Sequence, residues 1–132
     1  MKRPRIREDD IEKQIRDFLK VALPSEVICF HIPNGSQLGA RQVWQMKNAG
    51  MVAGIPDRCF LYRGRAYFIE VKGPRGRLTE SQEAMFPKIR ECGCPVAVCR
   101  SADDVQKALD SWGIPLRSRM LPLNDMRKAG AL

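Results

Sequence analysis

The chain has 132 residues, 44% of them hydrophobic and 29% charged, a balance that is typical of one globular domain with its own core. Its apolar runs are far too short to cross a bilayer, and its basic first residues lead into acids rather than a signal segment, so we expect an intracellular, cytoplasmic protein without a membrane partner. The net charge of +8 favours a polyanionic partner such as nucleic acid, although moderate basicity also serves solubility alone.

The five cysteines have neither the spacing of a disulfide framework nor the Cys-x-x-Cys spacing of a zinc site. The closely spaced cysteines Cys92 and Cys94, with Cys99, lie far in sequence from the single histidine, His31. We therefore expect reduced, mostly buried thiols.

Residues 1–8 form a basic arm, and a first helix begins at Asp9 or Asp10 as N-cap and ends at Pro24. Its apolar residues recur at helical spacing: Ile11, Ile15, Phe18, Leu19 and Ala22. Residues 27–32 are apolar on both sides, which predicts a strand buried within a sheet. A loop rich in turn residues follows, and then a short helix over about 41–49 that places Trp44 against the core.

Two apolar, aromatic-rich runs, about 57–62 and 66–72, predict a hairpin around Arg63-Gly64. A two-residue loop would place Asp57 directly opposite Glu70, with their Cβ atoms about 5 Å apart on one face. Lys72 would project from the same face, because side-chain direction repeats every second residue. A three-residue loop would instead set Asp57 opposite Val71, on the wrong face unless a bulge corrected it.

Two carboxylates held this close repel each other, so they need a cation between them or a raised pKa. Carboxylate oxygens suit Mg²⁺, which usually takes one or two of them and keeps several waters. The ammonium of Lys72 could orient a water or stabilise negative charge on a phosphate. The hairpin therefore predicts a site for a hard metal ion.

A flexible basic turn with Arg75 and Arg77 leads into a third helix, which Thr79 caps with Gln82 as its capping-box partner. Pro87 lies inside this helix and predicts a kink. Residues 95–99 predict a short buried strand, and a last helix runs from its cap at Ser101 to Gly113, with Trp112 on its apolar face. We expect one domain over residues 9–113 and an extended arm over 114–132.

Apart from the short helix at 41–49, the order of elements resembles the αβββαβ core of the PD-(D/E)XK superfamily, the restriction-endonuclease-like α/β fold with a central mixed sheet flanked by helices. Pro56-Asp57 matches its first motif, and Glu70-Val71-Lys72 matches the second. The sequence motifs are similar to those of the virus-type replication-repair nuclease (VRR-NUC) family over about residues 9–112. The matching motifs are Asn34-Gly35, Lys47-x-x-Gly50, Gly54-Ile55-Pro56-Asp57 and Leu78-Thr79-x-x-Gln82.

This resemblance implies that Asp57 and Glu70 hold Mg²⁺ or Mn²⁺ with the backbone carbonyl of Val71, and it makes Glu12 a further candidate ligand. Lys72 would position or activate the attacking water, and Gln82 would support it. The implied activity is endonucleolytic hydrolysis of DNA without an organic cofactor, by a homodimer acting on branched DNA such as Holliday junctions. Contacts to the nucleic acid are expected from Asn34, Gly35, Ser36, Lys47, Arg75 and Arg77.

Other interpretations stay open at this stage. Glu70 and Lys72 could be an ordinary exposed strand pair, Gln82 could act only as a capping partner, and Glu12 could be a solvated helix edge. His31 is more typical of a satisfied core histidine than of a catalytic base. As a whole, the chain could be a DNA-binding module that has lost turnover, or a nuclease that cleaves RNA.

Overall fold

The computed structural model describes residues 7–33 and 38–120 of the chain, and these hold four helices and four strands. The predicted α/β order is confirmed, with α2 inserted between the first two strands. In chain order the elements are α1 (Glu8–Ala22), β1 (Ile28–His31), α2 (Ala40–Asn48), β2 (Arg58–Tyr62), β3 (Arg65–Val71), α3 (Glu80–Glu91), β4 (Val96–Cys99) and α4 (Ala102–Ser111).

The strands form one mixed sheet in the order β1-β2-β3-β4, antiparallel except for the parallel pair β3 and β4. The turn between β2 and β3 has two residues, Arg63 and Gly64, with φ of 47° and 76°. Two successive positive φ values are typical of the hairpin turns whose twist matches the flanking strands. The predicted two-residue loop is therefore confirmed.

The register of this hairpin runs from Tyr62 opposite Arg65 to Arg58 opposite Ile69. Extended outward by one residue, this register places Asp57 opposite Glu70. The spacing read from the sequence thus fixes which face of the sheet these two carboxylates share.

The main core lies between the sheet and the pair α1 and α4. All five predicted apolar residues of α1 are buried, and Val105 and Leu109 of α4 are fully buried against them. Trp112, at the end of α4, packs on this core with its ring centroid 5.3 Å from that of Tyr67, as the sequence predicts. These contacts are long-range and apolar, so this side of the sheet provides most of the hydrophobic stabilisation.

Helix α1 begins at Glu8 after Arg7, slightly earlier than predicted. The carboxylate of Asp10 still stabilises this end, since it accepts a hydrogen bond from the Arg7 amide at 3.3 Å. Helix α3 continues on both sides of Pro87, where one backbone hydrogen bond is missing because proline has no N–H.

Three expectations about burial are wrong. Strand β1 lies at the edge of the sheet rather than inside it, so Ile28 and Phe30 are 58% and 44% exposed. His31, in the same strand, is exposed and is not a core histidine. Trp44 is 65% exposed, because none of the nine residues of α2 is buried against another described element.

All five cysteines are free thiols, but the further expectation that most of them are buried is wrong: only Cys59 and Cys99 are buried, and Cys92 is exposed. Burial raises the pKa of the Cys99 thiol to about 12, with the nearby carboxylate of Asp104 acting in the same direction. Cys99 therefore behaves as a small apolar side chain.

Residues 114–120 pack on the domain rather than extending from it as the predicted arm. Ile114 is buried, and the amide of Arg117 donates to the carbonyl of Ala22 at 2.8 Å. The Arg117 guanidinium also binds the carbonyls of Lys20 and Val21. Residues 1–6 and 121–132, which are the outer parts of the arms predicted over 1–8 and 114–132, lie outside the described residues. In the part of the chain that the structure covers, no helix combines the length and apolarity needed to span a membrane.

Candidate active site

The loop that carries Asp57 packs tightly on the start of α3. Gly54 has φ of 86°, and a Cβ at this position would overlap the carbonyl oxygen of Ser81 and lie 2.7 Å from its carbonyl carbon. Only glycine combines this backbone conformation with this close approach. Gly54 therefore sets the distance between the Asp57 loop and the first turn of α3.

Asp57 is held between two strands. Its side chain is buried, and Oδ2 accepts a hydrogen bond from the amide of Val71 at 2.7 Å. Its own carbonyl accepts a hydrogen bond from the amide of Ile32 at 2.6 Å. One carboxylate oxygen is thus fixed by the backbone of β3, and the side chain cannot rotate away without leaving a buried amide unpaired.

Glu70 and Lys72 form a buried pair, not the exposed strand pair that charges two residues apart usually make. The Lys72 ammonium lies 3.4 Å from Oε2 of Glu70, and the two side chains are 12% and 6% exposed. Oε1 of Glu70 is buried and has no hydrogen-bond partner among the residues that the structure describes. An orphaned carboxylate oxygen in such a position is costly to the fold, so a ligand is expected there.

The electrostatics of the two acids follow from their burial and proximity. Burial raises the pKa of Glu70 to about 7, the charge of Asp57 adds to this rise, and Lys72 and Gln82 oppose it. The pKa of Asp57 is also raised, first by burial, while the hydrogen bond from the Val71 amide opposes the rise. The repulsion predicted from the hairpin register is therefore present, and Lys72 offsets only part of it.

Gln82 lies at the site and also caps α3. Its backbone amide donates to the Thr79 hydroxyl at 3.2 Å, and its side-chain oxygen accepts from the Thr79 amide at 3.0 Å. The predicted capping box is confirmed. Because the box uses only the amide oxygen of the side chain, the NH₂ group remains for a second role.

These side chains border a cavity of about 430 Å³ between α2, α3 and the ends of β2 and β3. The polar residues of the lining are Asp57, Glu70, Lys72, Thr79, Ser81 and Gln82. Its largely apolar remainder consists of Ile32, Pro33, Val43, Met51, Val52, Ala53, Gly54 and Ile55. Lys47 and Glu8 complete the lining.

The first helix contributes Glu8 to this cavity rather than Glu12. Glu12 forms an ion pair with Arg58, with 3.1 Å between Oε2 and Nη2, and it is not part of the cavity lining. Sequence reasoning missed Glu8 because it placed the helix start after this residue. Within residues 7–33 and 38–120, no group of three or more His, Cys, Asp or Glu side chains is arranged as a metal cluster.

The predicted nucleic-acid contacts fall in three places. Lys47 lines the cavity directly. Arg75 and Arg77 are exposed in the turn after Lys72, which Arg100 holds by donating to the carbonyl of Gly73 at 2.5 Å. Asn34, Gly35 and Ser36 lie outside the described residues.

Comparison with known proteins shows the family and the fold of this chain. The VRR-NUC domain family matches residues 7–103. The chain belongs to the VRR-NUC family. Its fold is similar to that of a solved VRR_NUC domain protein with a TM-score of 0.64 and 18% sequence identity, over 81% of this chain and 88% of the other. No curated protein matches this sequence. The VRR-NUC match identifies a nuclease-like domain, and the mixed sheet that carries the Asp57–Glu70 pair is the fold of that solved relative.

Proposed function

We propose that this VRR-NUC domain is a Mg²⁺- or Mn²⁺-dependent endonuclease that hydrolyses phosphodiester bonds in DNA. The observation that supports it most is the buried pair Asp57 and Glu70, which faces a cavity with Lys72 beside it and with one carboxylate oxygen unbound. A protein that only binds DNA has no reason to bury two opposed carboxylates on a surface that meets phosphates.

The donor set fits a hard divalent cation. Asp57 keeps one oxygen beyond the bond from Val71, Glu70 keeps its orphaned Oε1, and both are the oxygen ligands that Mg²⁺ and Mn²⁺ prefer. The backbone carbonyl of Val71 is a further proposed ligand, and Glu12 is a weaker candidate because Arg58 already binds it. When bound, the cation would neutralise phosphate charge and lower the pKa of a nucleophilic water.

The residues of the chain have separate proposed roles. The Lys72 ammonium, held beside Glu70, orients the attacking water and stabilises negative charge that develops on the phosphate. The Gln82 NH₂ group donates to the water or to Glu70 from the first turn of α3. The Val71 amide keeps Asp57 in one rotamer, so that the acid does not reorganise during the reaction.

Charge and the family match support nucleic acid as the substrate. The net charge of +8 favours a polyanion, and Lys47 at the cavity with Arg75 and Arg77 in the adjoining turn would contact backbone phosphates without reading sequence. We further propose, as the family resemblance implies, that Asn34, Gly35 and Ser36 contact the substrate, and that a homodimer places two sites on the two strands of branched DNA.

The deciding experiment compares the wild type with Asp57→Ala on linear, flapped and four-way DNA, with Mg²⁺ and with chelator. We expect cleavage by the wild type only with the metal, and a loss of more than about a thousandfold in the variant with binding nearly unchanged. Asp17→Asn, an exposed acid on α1, is the matched control and should cut normally.

Binding without cleavage by the wild type under any of these conditions would identify a non-catalytic DNA-binding module instead. Equal cutting of linear and four-way DNA, or a monomer in sedimentation at assay concentration, would remove the branched-DNA and homodimer parts alone. A matched RNA substrate tests whether the activity is restricted to DNA.

A further inference from the structure

Helix α2 is unusual among the helices because none of its nine residues is buried. Trp44, at its centre, is 65% exposed, which is more than any other large hydrophobic residue in the described part of the chain. Leaving an indole in water forgoes a large amount of apolar burial, so a bound partner that covers Trp44 would gain free energy.

The charges of α2 indicate what this partner is. The helix carries Arg41 and Lys47 and contains no acidic residue, and its other polar side chains are the amides Gln42, Gln45 and Asn48. A surface of cations and amides around an aromatic ring is complementary to a nucleic-acid strand, whose phosphates are anionic and whose bases stack and form hydrogen bonds. A basic or purely apolar partner would leave the cations of α2 without counterparts.

The position of α2 connects this surface to the candidate active site. Val43 and Lys47 are one helical turn apart, and both line the cavity that holds Asp57 and Glu70. Trp44 directly follows Val43, about 100° further around the helix. Trp44 itself does not line the cavity, so its ring lies on the neighbouring face of α2, beside the cavity-lining residues Val43 and Lys47.

We propose that Trp44 stacks on an unpaired base of the substrate strand next to the phosphate that is cut. This inference rests on the proposed nuclease function and makes it more specific. A base in a continuous duplex is stacked on both sides and has no free face for a side chain, whereas bases at junctions, flaps and single strands can stack on an aromatic ring. Helix α2 would thus favour DNA with unpaired bases, because Lys47 would bind the phosphates and Trp44 would stack on the unpaired base.

The test uses the full chain with Asp57→Asn, so that DNA is bound but not cut. The affinity for a labelled 12-nucleotide single strand and for the same sequence as a blunt duplex is measured by fluorescence anisotropy, with and without Trp44→Ala. We expect single-strand binding to weaken by about 5- to 100-fold and duplex binding by less than about twofold. Trp44→Phe, which keeps an aromatic ring, should retain most of the affinity.

Val21→Ala is the matched control for loss of an exposed apolar side chain. Val21 is 55% exposed near the end of α1, about 20 Å along that helix from Glu8 at the cavity. It should bind both probes normally. Circular dichroism of the Trp44 variants should match that of the parent, since Trp44 contributes little buried area.

Tryptophan emission provides an independent readout, because Trp112 is the other tryptophan of the chain and packs against Tyr67. Single-stranded DNA should quench the emission of the parent and leave that of Trp44→Phe unchanged. Unaltered single-strand affinity in Trp44→Ala, or quenching that persists in Trp44→Phe, would overturn the inference. It would also be overturned if Trp44 emission shifted to shorter wavelength with protein concentration and without DNA, since a second copy would then cover the ring.

The two proposals can fail separately. If the wild type cuts DNA but the Trp44 substitutions change neither the single-strand affinity nor the quenching of emission, only the stacking inference is wrong. If the wild type binds single strands through Trp44 but never cuts, the nuclease proposal falls and α2 remains a strand-binding surface.

Discussion

The two sides of the central sheet are built differently. On one side α1 and α4 supply a continuous apolar core, whereas on the other side α3 buries Phe86 alone and α2 buries nothing. The acids of the candidate site, Asp57 and Glu70, face this second side. Burying two like charges costs stability, and a protein can tolerate it here because the opposite side stabilises the sheet independently.

The test with the largest expected effect removes core packing from the side of the sheet that α1 and α4 cover. Leu109 is fully buried, so Leu109→Ala should lower the free energy of unfolding by about 2–5 kcal/mol, measured by urea denaturation. Cleavage by the fraction that is still folded, assayed at low temperature, should remain close to normal. Lys107→Ala, an exposed neighbour on α4, should change stability by less than about 0.5 kcal/mol. If the folded Leu109→Ala protein were inactive, the two sides would not be independent.

A second test compares two glycines that share a backbone conformation. Gly54 and Gly93 both have φ of 86°, but a Cβ on Gly54 would overlap Ser81 while a Cβ on Gly93 would meet nothing within 4 Å. Gly93→Ala should therefore cost only the strain of the left-handed conformation, about 1–2 kcal/mol. Gly54→Ala should cost more and reduce cleavage at least about tenfold, because the Asp57 loop must move away from α3. Equal effects of both substitutions on activity would show that this close approach does not position the site.

A third test uses pH. Folding raises the pKa of Glu70 from 4.5 to about 7. Between pH 4.5 and pH 7, the folded chain therefore keeps a proton on Glu70 that the unfolded chain has lost. The free energy of unfolding of the metal-free protein should therefore fall as pH rises from about 4.5 to 7. Glu70→Gln should flatten this dependence and raise the melting temperature at pH 8 by a few degrees, as scanning calorimetry with chelator would measure.

The same measurement in the presence of Mg²⁺ tests whether Glu70 binds the cation. Mg²⁺ should stabilise the wild type at pH 8 and have little effect on Glu70→Gln, while Glu80→Gln, an exposed acid on α3, should respond like the wild type. An unchanged pH dependence in Glu70→Gln would mean that another group titrates in this range.

The smallest effect on stability is expected at the cavity rim. Lys47→Ala should leave the unfolding free energy within about 0.5 kcal/mol of the wild type, because the side chain is exposed. It should weaken DNA binding for all sequences alike and reduce the slope of log affinity against log salt by about 1, since one phosphate contact is lost. Lys107→Ala, on the opposite side, should leave the slope unchanged.

The sequence predicted the features that depend on local rules. The apolar stripe of α1, the two-residue turn at Arg63-Gly64 and the capping box at Thr79 all follow from spacing within a few residues. The hairpin register then determined that Asp57 and Glu70 share a face, and the family resemblance was confirmed by comparison.

Burial was harder to predict, because it depends on which elements happen to lie side by side. An apolar edge strand such as β1 has the same composition as a central one, and the exposure of Trp44 follows because no element of the described chain buries a residue of α2. The role of Glu8 in the cavity depended on one extra half-turn of helix, which falls within the usual uncertainty of helix ends.

The contacts of Arg117 show that the folded domain extends beyond the last residue that the family matches. That match ends at residue 103, within the first turn of α4, yet the chain goes on to return across the first helix and supplies donors to the carbonyls of Lys20, Val21 and Ala22. A fragment cut at the family boundary would keep the acids of the cavity but lose Leu109 and Ile114 from the opposite layer. Recombinant versions should therefore extend through Met120, the last described residue, whose backbone forms two hydrogen bonds with Gln106.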